Sequence, residues 1–203
     1  MPFFVAVFRE VPADRLDEVL AAIRGDFAAS RRLHPGRRGT RLFQRLNYPT
    51  HLLEIAEWDS LAEFEQLRRT ARYQAATVQA DPPARIEYLT RLRLFARMSV
   101  PAAVVGCVIL TSPRVHADAL EGFILNDERQ GVEAAAGLVT HEVYRMGPTS
   151  ERLLVVHSWR TMDDLERFRA SDRRQYDLTL NQLGVTTERL TNVVAAELSR
   201  LDA

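Results

Sequence analysis

The stretch LLEIAEWDSLAEFEQLRRT at residues 52–70 returns as LLVVHSWRTMDDLERFRAS at residues 153–171, so Trp58 and Trp159 stand 101 residues apart in a chain of 203. A repeat of half the chain constrains the fold more than any single residue does. Two copies of one module must fold alike, and each meets the same burial problem.

The elements of the first copy follow from period and punctuation. FFVAVFREV (3–11) is apolar and β-rich, as a central strand is. From Pro12 to Leu33 a helical stripe of Leu16, Val19, Leu20, Ile23 and Phe27 follows Asp14 and Asp17, and stops at His34-Pro35-Gly36. RLFQRL and HLLEIAEW flank Asn47-Tyr48-Pro49-Thr50 as a hairpin. Ser60 with Glu63 reads as a capping box opening a helix with Leu61, Phe64 and Leu67, and after the breaker Asp81-Pro82-Pro83 the segment IEYLTRLRLFA is a fourth strand.

The second copy repeats this order. AVVGCVIL is its first strand, Ser112-Pro113 reads as an N-cap with a first-turn proline, and the helix stops near Gly137. HEVYRM and RLLVVHSW form a hairpin about Gly147-Pro148-Thr149, Thr161 with Asp164 repeats the cap, and TNVVAAEL is the last strand. The boundaries expected are 1–97 and 104–203, with a linker at 98–103 too short to be a flexible tether.

A βαββαβ module is ferredoxin-like: four antiparallel strands with both helices on one face. Leaving the other face wet costs about 25 cal/mol per Å² of apolar surface. The expected fold class is therefore α+β, with tandem ferredoxin-like repeats packed sheet to sheet as a barrel within one chain.

Composition excludes more than it assigns. With 46% hydrophobic and 27% charged residues the chain suits a globular core, and 27 basic residues balance 27 acidic ones, so no overall field draws in nucleic acid or an anionic membrane. RRLHPGRRGTR (31–41) is a basic run without interleaved aromatics, and reads as a solvated helix end. No run approaches the ~18 apolar residues of a membrane helix, and the start lacks a basic leader, so a cytoplasmic protein is expected. Cys107, the only cysteine, reads as a buried thiol. Every basic residue is arginine; without lysine, Schiff-base, pyridoxal-phosphate and P-loop chemistry are unavailable.

Glu54-Ile55-Ala56-Glu57-Trp58-Asp59-Ser60 and Val155-Val156-His157-Ser158-Trp159-Arg160-Thr161, each a strand end running into a capped helix, resemble the antibiotic biosynthesis monooxygenase family of dimeric α+β barrels, as does the Pro35-Gly36 turn before strand two. The resemblance covers nearly the whole chain as two tandem copies. It implies a small aromatic substrate of polyketide, anthrone or quinone type oxidised by O2 with no cofactor. The alternatives it leaves are a non-catalytic binding barrel and a non-redox polyketide cyclase. A homodimer of such chains is compatible with it.

Two departures bear on that implication. Haem-degrading members carry a histidine on the helix after the tryptophan and an asparagine on strand one, and this chain has neither, so haem degradation is not expected. The missing asparagine is also a departure from the cofactor-free oxygenases.

Strand register nominates a site without the family. A hairpin centred between Pro148 and Ser150 sets His141 against His157 and Val143 against Val155, and alternation gathers His141, Val143, Arg145, Val155, His157 and Trp159 on one face. One histidine would take a phenolic proton, Arg145 would hold the phenolate, and Trp159 with Val143 and Val155 would form an aromatic wall. The opposing interpretation is a pair of satisfied sheet histidines beside a core tryptophan. Two histidines lack further ligands, so no metal is expected. The first copy bears Gln44, Glu54 and Trp58 at the rival, substrate-binding position, with Thr40, Leu42 and Ala56 beside them. His34, His51 and His116 read as surface residues, and Tyr73, Tyr88 and Tyr176 as packing groups or ligand donors.

Overall fold

The structure, a computed structural model, describes residues 2–74, 82–171 and 173–199, and among these not the side chains of 26–33, 72, 127–130 and 196–199. The side chain of Phe27, expected on the first helical stripe, and the residue Asp81, expected in the breaker, lie outside what is described. Both copies follow the βαββαβ order. The first comprises β1 (Phe3–Glu10), α1 (Leu16–Leu33), β2 (Arg37–Arg45), β3 (His51–Trp58), α2 (Leu61–Arg68), the short α3 (Ala71–Tyr73) and β4 (Arg85–Ala96). The second comprises β5 (Val104–Thr111), α4 (Ala117–Gly122), α5 (Glu128–Ala134), β6 (Leu138–Met146), β7 (Arg152–Trp159), α6 (Met162–Ala170), α7 (Arg174–Gln182) and β8 (Thr186–Ser199).

The eight strands hydrogen-bond in the order β1-β3-β2-β8-β5-β7-β6-β4 and close into a barrel. Two compact units divide the chain, one holding the residues up to Tyr88 and from Val194 onward, the other Leu89–Val193. The cuts fall inside β4 and β8, so these two long strands run through both units.

In the first unit, β3 lies between β1 and β2 with Val5 opposite Ala56 and Leu42 opposite Glu54. Alternation turns Val5, Val7, Ala56 and Trp58 toward α2, where they bury Phe64, and it turns Leu42 and Leu52 toward α1, where they meet Leu20. The other face is dry as well: Phe4, Phe43, Leu53 and Ile55 are buried. Strands covered on both faces read as continuous apolar runs, and FFVAVF and HLLEIA are such runs.

The second unit sets β7 between β5 and β6, with Val108 opposite Val155 and His141 opposite His157. Leu110, Val143, Val155, Leu120, Ile124 and Leu180 form one cluster between sheet and helices, and Val104, Leu138, Trp159, Val132 and Leu165 another.

Two local expectations are corrected here. Ser112 does not cap the following helix: Pro113, at φ −57° and ψ 145°, takes the N-cap position ahead of a 3-10 turn, and the buried Ser112 Oγ has no partner among the described residues. Pro12 plays the same part in the first copy, so proline stands outside the turn because its fixed φ suits the extended residue that precedes it. The second copy's first helix is also interrupted, with a wider π-helical turn at Phe123–Asp127 where the Asn126 amide donates to the Gly122 carbonyl at 3.0 Å. No described helix is long and apolar enough to cross a membrane.

Candidate functional site

In the first unit, β3 ends at Trp58, Ser60 caps α2, and the chain entering β2 passes beneath that cap. The Asp59 N–H donates to the Gly36 carbonyl at 2.8 Å, and the Ser60 hydroxyl accepts from the Glu63 N–H. A Cβ on Gly36 would fall 2.1 Å from the Glu63 carboxyl carbon, so a glycine is what lets the capping carboxylate sit against the backbone. Beside this junction lies a cavity of about 210 Å³ lined by His34, Pro35, Gly36, Trp58, Glu63, Gln66, Leu67 and Thr70. It exceeds the ~150 Å³ that accommodates benzene in a protein interior, and suits a small aromatic ring system.

Trp58 is buried, and its indole N–H has no partner among the described residues. The His34 ring stands 6.2 Å from the indole, and the Arg37 guanidinium lies 5.7 Å from its centroid. Arg37 in turn binds Glu54 at 2.5 Å, and Arg9 binds the other carboxylate oxygen at 3.3 Å. Two guanidinium groups thus share one carboxylate in a place where all three side chains are about nine-tenths buried. Thr70 is occupied as the cap of α3, accepting from the Tyr73 N–H at 3.3 Å.

The second unit brings His141, His157 and Trp159 together as the register requires. The imidazoles stack at 4.9 Å and 30°, with Phe168 of α6 edge-on to His157 at 5.7 Å. Both histidines are buried, and His141 Nδ1, His141 Nε2 and His157 Nε2 have no partner among the described residues. Burial pushes His141 down to about 4, opposed by Glu133 and aided by Arg93. Burial, then His141 and the nearby Arg173 and Arg169, holds His157 well below the ordinary imidazole value. Both rings are neutral at pH 7, and each is a weaker base than an exposed histidine.

Arg145 does not stand free beside them: its guanidinium forks onto Glu121 of α4 at 2.9 and 2.7 Å. Val143 and Val155 pack into the helix-facing core. In the first unit Gln44 is spent on the hairpin, donating to the Pro49 carbonyl at 3.0 Å, and Glu54 is held by its two arginines. His34, which reads as a surface residue in the sequence, lines the cavity. The signal that could have located it is its place immediately before the Pro-Gly turn of the motif carrying Trp58.

The 101-residue shift holds in atomic detail. Gly137 and Asp164 repeat Gly36 and Glu63, with a Cβ on Gly137 again 2.1 Å from the carboxyl carbon, and the Arg160 N–H donates to the Gly137 carbonyl at 2.9 Å as Asp59 does to Gly36. Polar positions differ: Arg9, Arg37 and Glu54 correspond to Leu110, Leu138 and Val155, while Thr40 and Ala56 correspond to His141 and His157.

The molecule is thus an α+β barrel of βαββαβ modules, with a cavity between sheet and helix in the first of them. Residues 2–80 match the model of the antibiotic biosynthesis monooxygenase family, and the first repeat is a domain of that family. No curated protein sequence matches the chain. Among solved structures, the chain is similar to an anthrone oxidase-like protein at 9% identity, covering 98% of this chain and 92% of that one with a TM-score of 0.78. It is also similar to a provisionally named monooxygenase from Fusobacterium nucleatum, at 9% identity, 98% and 94% coverage and a TM-score of 0.76. Another provisionally named monooxygenase, from Lactobacillus acidophilus, matches at 7% identity, 98% and 96% coverage and a TM-score of 0.72. At these identities the likeness is one of fold.

Proposed function

We infer that the chain is a cofactor-independent oxygenase that converts a phenolic or anthrone-type aromatic to a quinone with O2, in the cavity of the first repeat. The observation that carries this reading is the coincidence of the family match with a ring-sized cavity whose wall is Trp58, a buried indole with an unpartnered N–H. The indole N–H donates to a substrate oxygen. His34, 6.2 Å from the indole, accepts the phenolic proton, and the indole N–H favours the phenolate that results.

The reaction then balances without an external reductant. With 1-naphthol as the example, the phenolate gives an electron pair to O2 through its para carbon, and a carbon–oxygen bond forms as a hydroperoxide. Loss of the para C–H proton with cleavage of the O–O bond expels hydroxide, which takes up a proton as water. Naphthol and O2 become 1,4-naphthoquinone and water, a four-electron oxidation matched by full reduction of O2. The protein need supply only a base, an anion hold and a dry wall.

Incubating the protein with 1-naphthol or anthrone and following quinone absorbance tests this. Acceleration over buffer that is lost in H34A and W58F supports it; no acceleration with either compound overturns it. A second location, at His157 and His141, is favoured by their three unpartnered ring nitrogens. H157A separates the two, since it abolishes turnover only if the chemistry sits in the second repeat.

A further inference from the structure

We propose that the cavity of the first repeat takes its aromatic ligand as a neutral molecule and discriminates against carboxylated aromatics, and that Glu63 is the residue that sets this preference. That the ligand is aromatic rests on the proposed function; its charge follows from what lines the wall.

Glu63 is the acidic residue in the lining of this cavity, and no arginine lines it. Its carboxylate lies against Gly36 and accepts, among the described residues, one hydrogen bond, from the Ser60 hydroxyl at 3.4 Å. A carboxylate has room for about four, so most of its capacity is left for water or a guest. The second repeat shows the same position neutralised. Asp164 is fully buried, accepts from the Thr161 hydroxyl at 2.8 Å, and is bound by Arg167 and, at 3.4 Å, by Arg160. In the first repeat Gln66 and Asp59 stand where those two arginines stand, and Asp59 is itself bound to Arg38. Three exchanges in concert thus leave Glu63, among the described residues, a carboxylate without a bound cation at the cavity wall.

An acidic ligand entering from solvent brings a second negative charge next to Glu63, in a setting that screens less than water does. The neighbouring cations are already engaged. Arg38 is exposed and held by Asp59, with Glu57 also near it, and Arg37, 5.7 Å from the indole centroid, is held together with Arg9 on Glu54. A phenol that enters neutral adds no charge. The proton it passes to His34 stays in the cavity, so the total charge there is unchanged when the phenolate forms.

The chain has two tryptophans, so its proton–nitrogen NMR spectrum carries two indole N–H signals, and W58F identifies the one at the cavity. Benzamide and benzoate, alike in shape and different in charge, are titrated against that signal. Benzamide should move it with a Kd roughly tenfold or more below that of benzoate. In E63Q the ratio should fall below about threefold, and the helix start is kept because a capping box accepts glutamine as well as glutamate. A wild-type Kd for benzoate equal to or below that for benzamide, an E63Q ratio as large as the wild type's, or a Trp58 signal that neither compound moves would each overturn the proposal. A benzamide preference in a chain that forms no quinone from 1-naphthol or anthrone would count against the oxygenase chemistry and leave the charge selection standing.

Discussion

Replacing Glu54 by valine, the residue at the corresponding position of the second repeat, removes the carboxylate that Arg9 and Arg37 share. The Arg37 contact at 2.5 Å and the Arg9 contact at 3.3 Å both disappear, leaving two like charges buried together. Breaking a buried ion pair from one side costs about 3–5 kcal/mol, because the charge left behind keeps its desolvation penalty without its partner. The second repeat also shows the apolar solution to the same position: Leu110, Leu138 and Val155 stand where Arg9, Arg37 and Glu54 stand, and all three are buried in its clusters. The triple variant R9L/R37L/E54V should therefore recover most of the loss and lie within roughly 2 kcal/mol of wild type, as buried ionic groups often do when exchanged for hydrophobic ones. Urea denaturation followed by far-ultraviolet circular dichroism, with the slope checked for constancy, measures both variants. A loss under about 1 kcal/mol in E54V, or a triple variant as unstable as the single one, would refute the reasoning.

The buried histidine pair predicts an acid sensitivity. Both rings have native values below the ordinary imidazole value, so the unfolded chain binds more protons as pH falls. Stability is fully present above about pH 6.5 and declines toward pH 4, by up to about 3 kcal/mol for His141 alone; H141L should flatten that part of a urea stability–pH profile, and an unchanged slope would contradict the assignment. The capping glycines should differ in tolerance. G137A must adopt φ +80° and also meets the Asp164 carboxyl, whereas G36A meets only the movable end of Glu63. G137A should cost roughly 2 kcal/mol or more and G36A about 1, read from their Tm values, and equal losses would argue against backbone strain.

The parts of this molecule legible from sequence are those governed by local period. HLLEIAEW and RLLVVHSW are strands over the residues their apolar runs mark, and the Ser60 and Thr161 caps form as their spacing requires. The facing of His141 by His157 followed from turn geometry alone. What escaped is set by partners distant in sequence. That Arg145 is bound to Glu121 depends on how α4 lies against β6, and nothing in HEVYRM encodes it. His34 is a cavity residue because Trp58 comes to rest beside it, 24 positions away. Likewise the hydrogen-bonding route through β4 and β8 is a property of the closed barrel rather than of either strand's composition.

Oxygen uptake and quinone formation, measured together in buffer stripped of metals, flavins and nicotinamides, test the chemistry most directly. The account predicts one O2 consumed for each quinone produced, with no hydrogen peroxide released and both rates falling together in W58F. Uptake no faster than in buffer, or quinone formation that starts only when a flavin or a reductant is added, would contradict it.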